Sequence, residues 1–174
     1  MNVLFKRAVN LGWIEYSPTA GMDKISIEVP RTRALNRDEV KLIWDSLHLM
    51  TRNQSDGFKL LFLLPQRVGE LLSIRWEDID FDDKVWNMSK NKSDRAFSVP
   101  LSDQAQKILL DRKNGTDYTK KTQWMVNSPY VFPSQYNRFR PHAQGKGHTR
   151  SLRKGLLVLR NELDIPGWTI HDIR

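Results

Sequence analysis

Residues 58–74, FKLLFLLPQRVGELLSI, decide the fold and place a candidate site. The first half of this stretch is apolar on nearly every side, which predicts a central core helix over Ser55–Leu64. Pro65 cannot continue that helix, so the chain breaks there. A second, short helix is predicted over Val68–Arg75, with its apolar residues facing the same core. The stretch therefore predicts two consecutive core helices with a polar junction between them.

Arg67 lies at that junction, where the second helix begins, and Glu70 follows one turn later. The first backbone N–H groups of a helix carry partial positive charge, so a cation there is favourable only if an anion binds at the same place. Glu70 could hold the guanidinium in position. The pair indicates either an anion site or an ordinary surface ion pair, and the residues alone leave both open.

Upstream of this stretch, the sequence predicts a helix, a linker and a second helix. Asn36 and Glu39 have the spacing of a capping box, which predicts that a helix begins there. Residues 17–35 are interrupted by proline and glycine and are predicted to be a linker. Residues 1–16 contain the end of an amphipathic helix, with Gly12 as its C-terminal cap.

Downstream, helices alternate irregularly with short strands. The predicted elements are strands Lys84–Ser89 and Ala96–Pro100, a helix from Ser102, a short strand Tyr130–Phe132, a helix over Thr149–Leu163 and a last helix from Thr169. The elements are mostly helical, with one small hairpin between them. This order predicts an α+β fold rather than a repeated βαβ fold.

The composition points to an anionic partner. Lysine and arginine number 28 against 20 aspartates and glutamates, which gives a formal net charge of +8 in 174 residues. A compact domain with this excess typically binds nucleic acid. Cysteine is absent, which excludes a disulfide scaffold and a cysteine-ligated zinc site and is compatible with a cytoplasmic protein. No apolar run is long enough to span a membrane.

The positive charge is concentrated between Leu109 and Lys154, where only Asp111 and Asp117 oppose it. Interleaved basic and aromatic residues are typical of a surface that follows DNA phosphates, although a solvated basic face over core aromatics is the alternative. The basic residues are Arg112, Lys113, Lys120, Lys121, Arg138, Arg140, Lys146, Arg150, Arg153 and Lys154. Of these we expect Arg138, Arg140, Lys146 and Arg150 to contact DNA.

Two further groups of residues have phosphate chemistry. Lys90 and Lys92 lie at the tip of the predicted hairpin, where a lysine can protonate a leaving oxygen or simply prevent edge pairing. Thr169 and Asp172 have capping spacing, which places His171 and Arg174 on one face of the following helix. An adjacent imidazole and guanidinium suit an oxyanion, although such a pair is often structural.

An acidic run, residues 77–83, could be taken for a Mg²⁺ site. Its carboxylates fall on an irregular turn beside an apolar strand, so a solvated turn is the preferred interpretation and no metal ligands are predicted. A metal-dependent nuclease that uses Glu77 and Asp80 is kept as a minor alternative.

Together, in this order, these stretches resemble the catalytic domain of the tyrosine recombinases, especially phage-type integrases. The matching stretches are Gln66–Leu72 with Ile74–Asp80, the hairpin ending Val99–Ser102, Val131–Pro133 and His171–Arg174. The resemblance implies a mainly helical α+β catalytic domain over residues 36–174, the tail of a core-binding domain over 1–16 and a linker over 17–35.

The resemblance also implies the chemistry of the site. Arg67, His171 and Arg174 look like catalytic residues of the family, Glu70 like its supporting acidic residue, and Lys90 like its hairpin lysine, with Lys92 as the rival. The family cuts and rejoins double-stranded DNA without metal or cofactor, through a tyrosine that becomes linked to a 3′-phosphate, and works as a tetramer on DNA.

One departure from the family is large. Its nucleophilic tyrosine follows the His-x-x-Arg block, whereas Tyr16, Tyr118, Tyr130 and Tyr136 all precede His171. We therefore expect a truncated catalytic domain that binds DNA in the cytoplasm, is monomeric or weakly associating, and does not cleave alone. A non-catalytic DNA-binding accessory or regulatory module derived from an integrase is the alternative.

Overall fold

The computed structural model divides the chain into two compact units, Met1–Thr32 and Arg33–Arg174. Within them the structure describes residues 2–22, 33–64, 66–88, 97–115, 127–134 and 147–173. In the first unit, helix α1 (Asn2–Asn10) ends as predicted at Gly12, whose φ is 71° and whose N–H donates to the Val9 carbonyl at 2.9 Å. Glycine tolerates this left-handed conformation because it lacks a Cβ.

The second unit consists of five helices and a small sheet among the described residues. In chain order they are α2 (Arg37–Asp45), α3 (Arg52–Leu63), α4 (Val68–Leu72), β1 (Ile79–Asp80), β2 (Val85–Met88), β3 (Phe97–Pro100), α5 (Asp103–Lys113) and α6 (Arg153–Glu162). Short 3₁₀ helices cover Ser46–Leu49, Trp76–Asp78 and Ile170–Ile173. The predicted α+β class is confirmed.

The predicted helix starts at Asn36 and Ser102 are both confirmed by their hydrogen bonds. The Asn36 side-chain oxygen accepts from the Glu39 N–H at 2.8 Å, and Glu39 Oε2 accepts from the Asn36 N–H at 2.9 Å. Ser102 Oγ accepts from the Ala105 N–H at 3.3 Å. Each cap satisfies a backbone donor that has no partner inside the helix and stabilises it by about 1 kcal/mol.

Helix α3 is the centre of the core. Phe58 and Leu60 are fully buried, and α5 and α6 pack against this helix. Gly155 permits the close approach of α6, because a Cβ there would contact Met50 Sδ and lie 3.0 Å from Phe58 Cε2. The helix begins at Arg52, earlier than the predicted Ser55, because Thr51 O accepts from both Gln54 and Ser55.

The sheet has the order β1-β2-β3, and all its strands are antiparallel. Trp86 pairs with Val99 and Met88 with Phe97, as the predicted hairpin requires. Trp86 and Val99 are buried, so this face of the sheet covers the core. The hairpin tip, residues 89–96, lies outside the described residues.

Two helices are shorter than predicted because residues expected at their ends form backbone hydrogen bonds to residues 129–132 instead. Helix α4 ends at Leu72 rather than Arg75, and the backbones of Ile74 and Trp76 bond to residues 129–131. Helix α6 begins at Arg153 rather than Thr149, whose N–H donates to Phe132 O at 2.7 Å. The predicted strand at residues 130–132 is wrong: this segment forms isolated bridges rather than a strand, Arg75 with Tyr130 and Pro133 with His148. None of the described helices combines the length and apolar character needed to cross a bilayer.

Candidate functional site

Arg67 occupies the N-cap position of α4, with φ −66° and ψ 141°. Glu70 Oε2 accepts from the Arg67 backbone N–H at 3.1 Å, and Arg67 Nη1 donates to Glu70 Oε1 at 3.1 Å. An arginine side chain has no acceptor, so only the glutamate half of a capping box can form here. One carboxylate therefore holds both the backbone and the guanidinium of Arg67.

The guanidinium remains open to solvent. The side chain of Arg67 is 57% exposed, and that of Glu70 is 19% exposed. An exposed ion pair of this kind adds about 0–1 kcal/mol to stability, so the pair orients the arginine more than it holds the fold together. Among the described residues, Arg67 donates from its side chain to Glu70 alone, which leaves further N–H groups free for a ligand.

His171 lies on a turn that closes on itself. In the 3₁₀ helix Ile170–Ile173, Asp172 Oδ2 accepts from the Thr169 N–H at 2.7 Å, and the Asp172 N–H donates to Thr169 O at 3.0 Å. The predicted start at Thr169 is therefore present, with a 3₁₀ turn in place of an α-helix. The turn leaves the His171 ring exposed.

Arg67 and His171 border the same small cavity. Its volume is about 20 Å³, and it is lined by Leu61, Gln66, Arg67, Val68, Ile170, His171 and Ile173. A cavity of this size holds about one water molecule. Of the residues that the resemblance assigns to the site, the structure thus brings together Arg67, His171 and Glu70. Lys90, Lys92 and Arg174 lie outside the described residues.

The basic segment does not form one uniform surface. Arg150 is exposed, whereas Arg138, Arg140 and Lys146 lie outside the described residues. Arg112, which the sequence analysis counted among the basic residues of this segment, has a fully buried side chain and therefore does not belong to a basic surface. Lys113 lies 4.8 Å from the centre of the Phe81 ring.

Arg112 is the centre of a buried polar network. Its Nη1 donates to Asp56 Oδ2 at 2.8 Å, its Nη2 donates to Asn53 Oδ1 at 2.6 Å, and both Nε and Nη2 donate to Val131 O. The guanidinium also stacks 4.5 Å from the Phe132 ring centre. A buried charge is tolerated only when it is paired and hydrogen-bonded, and here every side of the guanidinium has a partner.

Asn53 extends this network to the segments around Pro133 and Thr149. Its Nδ2 donates to Pro133 O at 3.2 Å and to Thr149 Oγ1 at 2.9 Å, and Thr149 Oγ1 donates to Pro133 O at 3.1 Å. The network therefore joins α3, α5 and the segments around residues 131 and 149. The sequence contained no clear sign of it, because Asn53 and Asp56 lie in the polar first half of α3.

A second group of side chains that the sequence analysis did not identify consists of Arg75, Tyr130 and His148. The Arg75 guanidinium lies 5.9 Å from the Tyr130 ring centre, and the rings of Tyr130 and His148 are 5.3 Å apart. Burial, and then the nearby Arg150 charge, lower the pKa of His148 from its ordinary value. The backbone bridge between Arg75 and Tyr130 places these side chains together.

The acidic run is engaged within the chain. Asp80 Oδ1 accepts from the backbone N–H groups of Asp82 and Asp83 at 3.0 and 2.9 Å, and Glu77 pairs with Arg75. In the part of the chain that the structure describes, no three acidic or histidine side chains are grouped as metal ligands.

A larger cavity, of about 320 Å³, lies beside α3 and α5 and touches neither Arg67 nor His171. Its lining contains two cations, Arg52 and Lys59, and two carboxylates, Asp56 and Asp111. Because the two signs of charge are balanced there, this cavity has no evident preference for an anion.

Comparisons with known proteins match this architecture. A putative integrase/recombinase of Haemophilus influenzae is 26% identical over 119 residues, 63% of this chain and 32% of the relative. Among solved structures, a lambda integrase dimer bound to a COC′ core site has a TM-score of 0.63 at 18% identity, over 97% of this chain and 46% of that one.

The Tn1549 transposon integrase, in complex with circular intermediate DNA, has a TM-score of 0.60 at 12% identity, over 98% of this chain and 60% of that one. The chain thus spans about a third of the curated relative's length and less than two thirds of each of these structures. The structural similarities show the tyrosine recombinase catalytic fold. The sequence pattern of the phage integrase family matches residues 33–174, which is most of the chain. The chain therefore belongs to the phage integrase family.

Proposed function

We propose that residues 36–174 are the catalytic domain of a DNA integrase, and that Arg67 and His171 bind a phosphate of double-stranded DNA. The observation that carries this proposal is the single cavity bordered by these two residues, which are remote in sequence. Arginine supplies a planar fork of donors and histidine a further ring N–H, which together match phosphate oxygens.

In the proposed reaction, the site stabilises the negative charge that develops on the oxygens of the scissile phosphate. A tyrosine oxygen attacks the scissile phosphate, the 5′-oxygen leaves, and the new phosphotyrosine bond conserves the energy for rejoining. Arg67, His171 and Arg174 stabilise the pentavalent transition state, and Glu70 keeps Arg67 in place. Lys90, or alternatively Lys92, protonates the leaving oxygen. No metal or cofactor takes part in this scheme.

The activity of a whole integrase also needs groups beyond those described above. We propose that none of Tyr16, Tyr118, Tyr130 and Tyr136 is the nucleophile, because all precede His171. Tyr130 is instead packed between Arg75 and His148. We further propose that the intact integrase is a tetramer on DNA and that the 174-residue chain alone is monomeric or weakly associating.

The remaining parts of the chain extend the proposed DNA contact. Arg138, Arg140, Lys146 and Arg150 are proposed to bind backbone phosphates away from the scissile one. Residues 1–16 are proposed as the tail of a core-binding domain and 17–35 as a linker. The protein is proposed to act in the cytoplasm, on nucleoid DNA.

The test is duplex binding by the 174-residue chain at several salt concentrations. We expect the logarithm of affinity to fall with the logarithm of salt with a slope of several units, and Arg67→Gln to reduce the slope by about 1. Arg37→Gln, a matched change at an exposed arginine of α2, should leave the slope nearly unchanged. Equal effects of both variants, or affinity that does not depend on salt, would contradict the proposal.

A nicked duplex that traps covalent intermediates tests the assignment of the nucleophile, and the Arg67 variant separates the integrase domain from a non-catalytic DNA-binding module. We expect binding without a covalent adduct for the 174-residue chain. An adduct on any of its four tyrosines would contradict the assignment of the nucleophile. The accessory module is favoured if the Arg67 variant loses no more affinity than its control while salt-dependent binding persists.

A further inference from the structure

Arg160, in helix α6, forms a hydrogen bond to the start of the turn that carries His171. This arginine lies in the last turn of α6, and its Nη2 donates a hydrogen bond to the backbone carbonyl of Trp168. Trp168 is separated from the 3₁₀ helix Ile170–Ile173 by one residue. The bond therefore joins α6 to the start of the turn that presents His171.

Trp168 is also anchored through its ring. The side chain is fully buried, and the ring packs edge-to-face against Phe58 of α3, with 6.5 Å between centres. Its indole Nε1 has no hydrogen-bond partner among the described residues. Packing contacts therefore hold the ring in the core. Such contacts are not directional, so they orient the Trp168 backbone less strictly than a hydrogen bond to its carbonyl does.

The shape and the position of the His171 turn have different origins. Its shape is local, because Thr169 and Asp172 close it with their own hydrogen bonds. Contacts with other elements contribute to its position relative to Arg67, among them the packing of Ile170 and Ile173 on the core and the two anchors of Trp168. The bond from Arg160 is a directed polar contact to the start of the turn.

We propose that Arg160 is a positioning residue for His171: it fixes the Trp168 carbonyl so that the imidazole faces the Arg67 cavity. An arginine suits this role because its guanidinium is always charged, and a cation near a helix C-terminus is favourable. The inference rests on the proposed function insofar as His171 contacts DNA. A purely structural Arg160 would stabilise α6 without affecting His171.

The experiment compares Arg160→Met and Arg160→Lys with Lys154→Met, which removes one charge from an exposed position of the same helix. Two quantities are measured on the 174-residue chain: the NMR signal of the His171 ring without DNA, and the Kd for a short duplex at fixed salt. If Arg160→Met leaves the turn in its bound position in about a tenth of the molecules, the apparent Kd rises about tenfold.

We expect Arg160→Met to shift or broaden the His171 ring signal and to weaken duplex binding more than Lys154→Met does. Arg160→Lys should partly restore the His171 ring signal and the duplex affinity, because lysine can still donate to the Trp168 carbonyl. A His171 signal and a Kd equal to those of Lys154→Met, with only a lower Tm, would overturn the inference. If no variant or wild-type chain binds duplex, the proposed function fails, while the ring signal still decides the role of Arg160.

Discussion

Arg112 and Arg67 are both arginines beside a carboxylate, but their surroundings are opposite. The Arg112 side chain is fully buried, with Asp56, Asn53 and the Val131 carbonyl around it. The Arg67 side chain is 57% exposed and, among the described residues, pairs with Glu70 alone. Arg112 joins α3, α5 and the segment around residue 131, whereas Arg67 lines a cavity that His171 also lines.

The two arginines therefore illustrate two roles of a cation in this fold, which are stabilising the core and binding a ligand. A buried guanidinium whose donors are all bonded has nothing left for a ligand, and its removal leaves polar partners without compensation. An exposed guanidinium held by one carboxylate contributes little to stability and keeps its donors available. Stability measurements and binding measurements should therefore rank the two arginines in opposite order.

The largest effect is expected from Arg112→Met. Methionine keeps much of the volume but leaves Asp56, Asn53 and Val131 O without the guanidinium, so the free energy of unfolding should fall by about 3–5 kcal/mol. Urea denaturation measures the loss. Lys113→Met, at the next position with its ammonium over Phe81, is the control and should cost under about 1 kcal/mol. A loss at residue 112 as small as the control would mean that the network is not stabilising.

A smaller loss is expected from Asn53→Ala, which removes one member of the same network. Arg112 Nη2 then keeps only Val131 O, and Thr149 Oγ1 keeps only Pro133 O. An unsatisfied buried partner costs about 1–3 kcal/mol, measured by the same denaturation. Gln104→Ala, at an exposed position of α5, provides the comparison. An unchanged midpoint for Asn53→Ala would show that water replaces the amide.

Arg67→Met should change stability by less than about 1 kcal/mol. Glu70 keeps its bond to the backbone N–H at residue 67, and removal of a cation from a helix N-terminus offsets the lost ion pair. The comparison with Arg112→Met uses the same substitution at both sites. If Arg67→Met unfolds the protein as readily, the exposed arginine is structural and the contrast between the two sites fails.

The smallest effect concerns pH and His148. The pKa of this ring is lowered from 6.5 by burial and by Arg150, so the unfolded chain takes up the proton more readily than the folded one. The contribution of this ring to stability should therefore be fully present above pH 6.5 and be lost as the pH falls through the folded pKa. His148→Gln should flatten this part of the profile in pH-dependent denaturation. Identical slopes for the variant and the wild type would show that His148 is not responsible.

Local patterns predicted the parts of the fold that neighbouring residues determine. The caps at Asn36 and Ser102 form between residues three positions apart, and the hairpin alternation of β2 and β3 is equally local. The junction at Arg67 was also visible, because Glu70 lies one turn away. In each case the partners lie within one turn or one strand pair, so the sequence pattern contains the whole interaction.

Contacts between distant residues accounted for the failures. Helix α6 was predicted to start at Thr149, but the Thr149 N–H and hydroxyl bond to Phe132 O and Pro133 O instead. Arg112 was counted with the basic residues of the segment 109–154 that suggested a DNA surface. Its burial depends on Asp56 and Asn53 in another helix, and no pattern around residue 112 contains them.

The amino-acid sequence by itself determined the family, the helix boundaries with local caps, the basic charge, and the residue types available for phosphate chemistry. The tertiary structure decided which cations are exposed and which are buried, and it brought His171 to the cavity beside Arg67. The reason is physical: a side chain's hydration and partners depend on elements that are remote in sequence, whereas caps and periodicity depend only on residues within a turn.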